Sequence, residues 1–369
     1  MRVLVTGSGG FIGKNLLERL GRMEGIEVLT YEKNDTLQKL ESSLLKADFI
    51  FHLAGVNRPE DPKEFYEGNR DLTLSIAEKL QKAGKTTPVL ISSSIQAERD
   101  NDYGKSKKEA EDALTAYSKI SGATVYIYRL PNVFGKWSKP NYNTVIATWC
   151  HNISRDLPIK INDEKAELNL VYIDDVVEHF IRHLEESGLS GVVKPQVSPV
   201  YRKSLGEIKD LLESFKSSRD TLLIPRVGQG FERALYATYL SFLPVDKFSY
   251  RLKGHSDNRG TFYEVIKTID SGQVSVSTTA PGVTRGNHYH NTKNEKFLVL
   301  KGEALIKLRN IYEDEVVEYR VSDKKMEIVE MIPGYTHDIT NIGDDELLLL
   351  IWANEIYDPK NPDTYYLKV

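Results

Sequence analysis

Cysteine is almost missing from this chain: Cys150 is the only one in 369 residues. An intrachain disulfide is therefore excluded, and so is a thiolate cluster. Such sparse use fits a reducing cytoplasm, the expected location. Long apolar runs are missing as well. A bilayer span needs roughly 18 apolar residues, and the richest stretch, residues 347–352, is far shorter. It suits a buried strand, and no membrane insertion is expected. Excess charge of one sign is missing too. A net charge of −4 leaves no basic footprint for nucleic acid. Residues 2–5 already read as a strand entering a glycine loop, so no targeting segment is expected. No internal repeat and no low-complexity linker are visible.

What is present is the composition of a soluble globular protein, 40% hydrophobic and 28% charged. At this length two domains are the default expectation. The first part alternates short apolar strands (residues 3–5, 28–30, 49–53, 89–91 and 125–128) with helical patterns (16–20, 72–81 and 109–120). That alternation predicts an α/β Rossmann-type fold, a doubly wound parallel sheet with right-handed crossovers. After about residue 243 the texture changes. Period-two patterns and turns take over at 261–267, 274–278, 296–300, 304–308, 327–331 and 347–352, which predicts an all-β barrel or jelly roll. A helical stretch at 231–243 followed by Pro244 makes a joint, so the expected domains are 1–243 and 244–369.

The first chemical motif is Thr6-Gly7-Ser8-Gly9-Gly10-Phe11-Ile12-Gly13, between the first strand and the first helix. Gly7 permits the tight turn, Gly10 lets backbone approach a pyrophosphate, and Gly13 lets the helix pack on the sheet. The helix N-terminus then offers positive potential to phosphates. Glu32, at the end of the second strand, suits the ribose 2′-hydroxyl of NADH, and the adjacent Lys33 suits the 2′-phosphate of NADPH. These residues leave the choice open. Downstream, Tyr103 and Lys107 are one helical turn apart and share a face. An ammonium beside the phenol favours phenolate, and Tyr103 can then exchange a proton with a carbinol oxygen. Ser94, ending a serine triplet, is placed to hydrogen-bond the same oxygen. A Tyr-x-x-x-Lys pair alone is common on solvated helices; the glycine loop and serine triplet give it meaning.

The second motif is His288-Tyr289-His290, with Glu295 after a turn and His337 later. Residues i and i+2 of a strand share a face, so both imidazoles point inward. Three histidines and a carboxylate form a borderline-soft donor set that fits zinc, manganese, iron or nickel.

Residues 1 to about 243 resemble the extended short-chain dehydrogenase/reductases that act on nucleotide sugars. The matching pieces are the glycine loop, His52-Leu53-Ala54-Gly55, Asn69, Ser92-Ser93-Ser94, Tyr103 to Lys107, Arg129-Leu130-Pro131-Asn132-Val133-Phe134-Gly135 and Val171-Tyr172-Ile173-Asp174-Asp175. The resemblance implies that Ser94, Tyr103 and Lys107 are catalytic. It also implies that Leu53, Ala54 and Gly55 line the cofactor and that Asn132 touches cofactor or substrate. Only eight residues separate Ser94 from Tyr103, fewer than is usual there, which implies a more open active-site mouth.

Residues from about 252 onward resemble the cupin superfamily, through Gly282, His288-Tyr289-His290, Glu295 and Gly302, then Pro333-Gly334-Tyr335-Thr336-His337 and Asn341. Asp257 to Glu264 and Arg285-Gly286-Asn287-His288 are similar to the cupin-type epimerases of 4-keto-6-deoxy sugar nucleotides. In those enzymes the counterpart of His288 is the base. Here His288 is assigned as a ligand, which leaves the base open among a metal-activated water, Tyr289 and Glu264. The domain order resembles a family of bifunctional enzymes of bacterial capsular polysaccharide biosynthesis. That resemblance implies a UDP-linked 4-keto-6-deoxy amino sugar as substrate, inversion at C3 by the cupin domain and reduction at C4 with NADPH. It also implies zinc in the cupin and a homodimer. Two alternatives remain: a cupin serving only structure, binding or dimerisation, and a cupin that is an oxygenase or another isomerase.

Overall fold

The structure, a computed structural model, describes residues 1–142, 144–186 and 188–369. The chain packs as two compact units, residues 1–212 with 233–244, and residues 213–232 with 245–369. This differs from a single break near Pro244. Residues 213–232 join the second unit because they carry a short strand that pairs there.

In the first unit, β1 (Arg2–Thr6), α1 (Phe11–Leu20), β2 (Glu27–Tyr31), α2 (Leu37–Lys46) and β3 (Phe49–His52) are followed by a short α3 (Lys63–Phe65) and α4 (Leu72–Lys82). Then come β4 (Val89–Ser94), α5 (Asp102–Ser121), β5 (Thr124–Leu130), β6 (Asn132–Phe134), α6 (Val145–Ser154), β7 (Glu167–Tyr172), α7 (Ile173–Arg182), β8 (Gly191–Val193) and β9 (Tyr201–Ser204). Helix α8 (Leu205–Thr221) starts in this unit and ends in residues of the second, and α9 (Gly230–Ser241) leads back from it. The main sheet has six strands in the order β2-β1-β3-β4-β5-β8, all parallel. Strand alternation divides β1 between two cores. Val3 and Val5 pack with Leu16 of α1 and Phe180 of α7 on one face. Leu4 packs with Leu40 of α2, Ile76 of α4 and Leu114 of α5 on the other. Every residue of β3 and β4 is buried, as a sheet covered on both faces requires. The chain leaves β1 toward β2 on one side and returns to β3 on the other. Such a switch point opens a crevice beyond the carboxyl ends of β1 and β3. Strands β6, β7 and β9 form a separate small sheet.

The second unit is all β apart from its helical lead-in. Its strands are β10 (Leu223–Ile224), β11 (Gly254–Asp257), β12 (Gly260–Thr268), β13 (Gly272–Thr279), β14 (Thr284–Tyr289) and β15 (Glu295–Lys301). They continue with β16 (Glu303–Asn310), β17 (Val316–Ser322), β18 (Ile328–Met331), β19 (Tyr335–Asn341), β20 (Leu347–Ala353) and β21 (Tyr365–Tyr366). One sheet runs β10-β12-β13-β20-β15-β18, with β11 on β12; the other runs β17-β16-β19-β14-β21. Phe297, Val299 and Leu349 of the first sheet meet Ile306, Leu308 and Ile339 of the second in one core. Two facing sheets of mostly antiparallel strands make a cupin-like jelly roll.

Candidate active site and metal centre

The crevice at the switch point holds a cleft of about 740 Å³. The glycine loop leaves β1 with Gly7 in the left-handed region, φ 67°. A Cβ on Gly7 would press on the Ala54 backbone, and one on Gly13 would overlap the Gly7 carbonyl. The close passage of loop, helix and post-β3 segment therefore depends on glycine at both positions. Gly7, Gly10, Phe11, Ile12 and Gly13 line the cleft with Leu53 and Gly55. Ala54 is tied behind them, its N–H donating to Thr6 Oγ1 at 3.2 Å. Asn132 lines the far wall.

Ser94, Tyr103 and Lys107 line the same cleft. Ser94 ends β4, where its Oγ accepts the Gln96 N–H at 3.2 Å. Helix α5 begins at Asp102 because Asn101 caps it, its side chain accepting the Gly104 N–H at 2.8 Å. That start puts Tyr103 in the first turn, lining the same cleft as Ser94 and against the Phe65 ring, with centroids 5.5 Å apart. Burial pushes the Tyr103 phenol above its ordinary value, with Ser94 pulling the other way. The Lys107 ammonium donates to the Ser92 carbonyl at 3.3 Å.

Lys107 is buried, and burial lowers it to about 8, with Glu111 opposing. Glu111 escaped the sequence reading, although it sits one turn beyond Lys107 on the same face. It is 2% exposed, accepts the Ser93 hydroxyl at 2.5 Å and takes a two-pronged bond from Arg129 at 2.7 and 2.9 Å. These contacts tie α5 to the ends of β4 and β5. Because Lys107 is lowered in the folded state, the unfolded chain binds more protons between about pH 8 and the free-lysine range. Its unfavourable contribution to stability is therefore complete below about pH 8 and relieved as pH rises above it.

With Ala54, two more predicted cofactor residues lie outside the cleft lining. Glu32 turns onto the glycine loop, accepting the Ser8 hydroxyl and the Gly9 N–H. Lys33 is exposed and 3.9 Å from Glu64. Asn69 is 2% exposed in a π-helical turn, Tyr66–Asp71, and holds the Val56 N–H at 2.9 Å and the Ser106 hydroxyl at 3.0 Å. It braces α5 against the post-β3 segment.

In the second unit the structure gathers His288, His290, Glu295 and His337, one ligand atom from each lying within 4.8 Å of the others. Three elements contribute. His288 is the penultimate residue of β14 and pairs in register with His337 of β19; His290 follows the end of β14, and Glu295 opens β15 in the other sheet. His290 Nε2 and His337 Nε2 lie 3.6 and 3.7 Å from Glu295 Oε2, too far for hydrogen bonds. Both nitrogens are buried without a partner. Orphaned buried nitrogens are costly, and a divalent cation between them and the carboxylate satisfies all of them. Burial holds His337 down to about 3, and lowers His288, so both rings are neutral as ligation requires. Burial raises Glu295, but His290 and His337 outweigh it and hold the carboxylate below its ordinary value. The residues present fit a metal. The two proposed base residues do not join them. Tyr289 projects to the other face and stacks on Tyr365 at 5.3 Å, and Glu264 pairs with Lys267 at 2.9 Å.

Comparison with known proteins agrees with this division. Residues 3–193 match the NAD dependent epimerase/dehydratase family, and residues 255–365 match the polysaccharide biosynthesis C-terminal domain. A Pseudomonas aeruginosa protein named UDP-2-acetamido-2,6-beta-L-arabino-hexul-4-ose reductase is 53% identical over 369 residues, covering all of this chain and 99% of that protein. The crystal structure of the capsular polysaccharide assembling protein CapF from Staphylococcus aureus is 48% identical, covers all of both chains and has a TM-score of 0.92. The chain belongs to the CapF family. Within that family the first unit carries the epimerase/dehydratase fold. A UDP-glucuronic acid 4-epimerase from Bacillus cereus, solved with NAD, matches 66% of the chain at 18% identity and a TM-score of 0.57, a likeness of fold alone. Among the described residues, no helix is long and apolar enough to cross a membrane.

Proposed function

We propose that this chain is a bifunctional nucleotide-sugar enzyme of capsular polysaccharide biosynthesis. Residues 244–369 invert C3 of a UDP-2-acetamido-2,6-dideoxy-4-hexulose. Residues 1–243 then reduce its C4 ketone with NADPH to UDP-N-acetyl-6-deoxy-L-talosamine. The observation that carries the reading is the gathering of Ser94, Tyr103 and Lys107 in a glycine-loop cleft, in a chain 53% identical end to end to a protein named as a reductase of such a ketone. Zinc, a homodimer and a cytoplasmic location belong to the same reading. The sparse cysteine use supports the location, and the His288, His290, Glu295 and His337 cluster supports the metal.

Bound nicotinamide supplies the hydride. Ser94 and Tyr103 hold the C4 oxygen, and the Tyr103 phenol gives it a proton. Lys107 keeps positive charge beside them, and the glycine loop receives the phosphates. In the cupin, His288, His290, Glu295 and His337 would hold the metal, which would supply Lewis acidity toward the keto oxygen.

Since Lys107 acts as a cation with a value near 8, kcat/KM for reduction declines above about pH 8. Glu111→Gln removes the opposing carboxylate and moves that alkaline limb to lower pH. A limb that stays in place in the variant assigns it to another group.

A second reading, a reductase whose cupin serves binding or dimerisation, is favoured by the absence of Tyr289 and Glu264 from the ligand cluster. Incubating the UDP-linked 4-keto-6-deoxy sugar with the enzyme in D₂O, without nicotinamide, separates the two. Deuterium at C3 by mass spectrometry and NMR supports the bifunctional reading. No incorporation, with NADPH still consumed on addition, leaves the reductase alone.

A further inference from the structure

Residues 362–367 lie along β14 at the edge of its sheet, with Tyr365 and Tyr366 pairing to Tyr289 and His288. Little apolar surface is buried there: Tyr365 and Tyr366 are 45% and 74% exposed. The contacts of this segment are polar instead, and they fall on the neighbours of the metal-ligand candidates. The Asp363 carbonyl lies 2.6 Å from His290 Nδ1. A carbonyl only accepts, so Nδ1 carries the proton, which leaves Nε2, facing Glu295, as the ligand atom. The Asp363 carboxylate accepts three successive N–H groups, of Asn291, Thr292 and Lys293, at 2.8–3.0 Å. Those residues form the turn that joins His290 to Glu295. At the other end, the Leu367 N–H donates to the Asn287 carbonyl at 2.9 Å, and its carbonyl accepts the Thr336 hydroxyl. Asn287 and Thr336 immediately precede His288 and His337. Asp363 adopts a left-handed backbone, φ 37°, to make its contacts.

We propose that residues 362–367 act as a positioning strap for the metal centre, with Asp363 setting the tautomer and direction of His290 and clamping the turn to Glu295. The strap rests on the reading of His290 as a ligand. It predicts that metal affinity depends on residues that never touch the metal. Lost outer-sphere partners typically cost about 10–100-fold in affinity.

The test uses the full chain and Co²⁺, titrated against a competing chelator, with the d–d absorption band as a second readout. Asp363→Ala is expected to weaken Co²⁺ by about 10–100-fold and to alter the band. Lys293→Met is the second variant. The Lys293 ammonium donates to the Pro362 carbonyl at 3.1 Å and the Thr364 hydroxyl at 2.8 Å. Removing a cation near a metal site should tighten metal binding by charge alone, so weaker binding in Lys293→Met marks positioning. Wild-type affinity and an unchanged band in both variants overturn the strap while leaving the metal reading intact. Absence of Co²⁺ binding by the unsubstituted chain overturns both.

Discussion

Tyr103→Phe lowers the rate of ketone reduction by about 10²–10⁴-fold, the usual contribution of a positioned proton donor. The substitution is nearly isosteric. The ring keeps its place against Phe65 and in the first turn of α5, whose cap comes from Asn101 rather than from Tyr103. Only the hydroxyl disappears. Nicotinamide affinity changes little, since the glycine loop is untouched. The decisive comparison is between two assays on one preparation. NADPH oxidation collapses, and deuterium exchange at C3 continues at the unsubstituted rate. Retained reduction would move the proton donor elsewhere, and loss of both activities would couple the two sites.

His290→Ala empties the cupin of metal. The substitution removes one of two buried Nε2 atoms that converge on Glu295, and leaves the carboxylate with one close imidazole. Affinity should fall by more than the roughly 10–100-fold that an outer-sphere partner costs, because a ligand itself is gone. C3 exchange stops with it. Reduction of a ketone that already has the inverted C3 continues. Heat denaturation adds an independent readout. A ligand at 100 times its Kd stabilises the folded state by about 2.7 kcal/mol, so metal raises the melting temperature of the unsubstituted chain and leaves that of the variant unchanged. Full metal retention would remove His290 from the ligand set.

Much of this was legible in the residues. Glycine spacing between a strand and a helix marked the loop, the Tyr103–Lys107 spacing marked a shared helix face, and the His288–His290 spacing marked two converging imidazoles, although β14 ends at Tyr289. Each is a relation over a few residues, where backbone geometry alone decides which side chains are neighbours. Edge strands were less visible. Strand β17 is mostly exposed, so its residues carry no strong apolar alternation. The start of α5 at Asp102, well before its apolar periodicity becomes clear, depends on the Asn101 cap. The pairing of β6 with β7 joins Asn132 to Leu170 and has no local signature.

The sequence by itself determined the two domain types, the glycine loop and the candidate metal-binding side chains, because each rests on short-range periodicity and donor chemistry. Tertiary structure decided the rest. It brought Glu295 from one sheet to His337 on the other, turned Lys107 onto the Ser92 carbonyl, and buried Glu111 between two strand ends. It also laid Asp363 against His290, 73 residues away. Those contacts arise from packing elements distant along the chain, and burial then sets their protonation, which spacing alone cannot express.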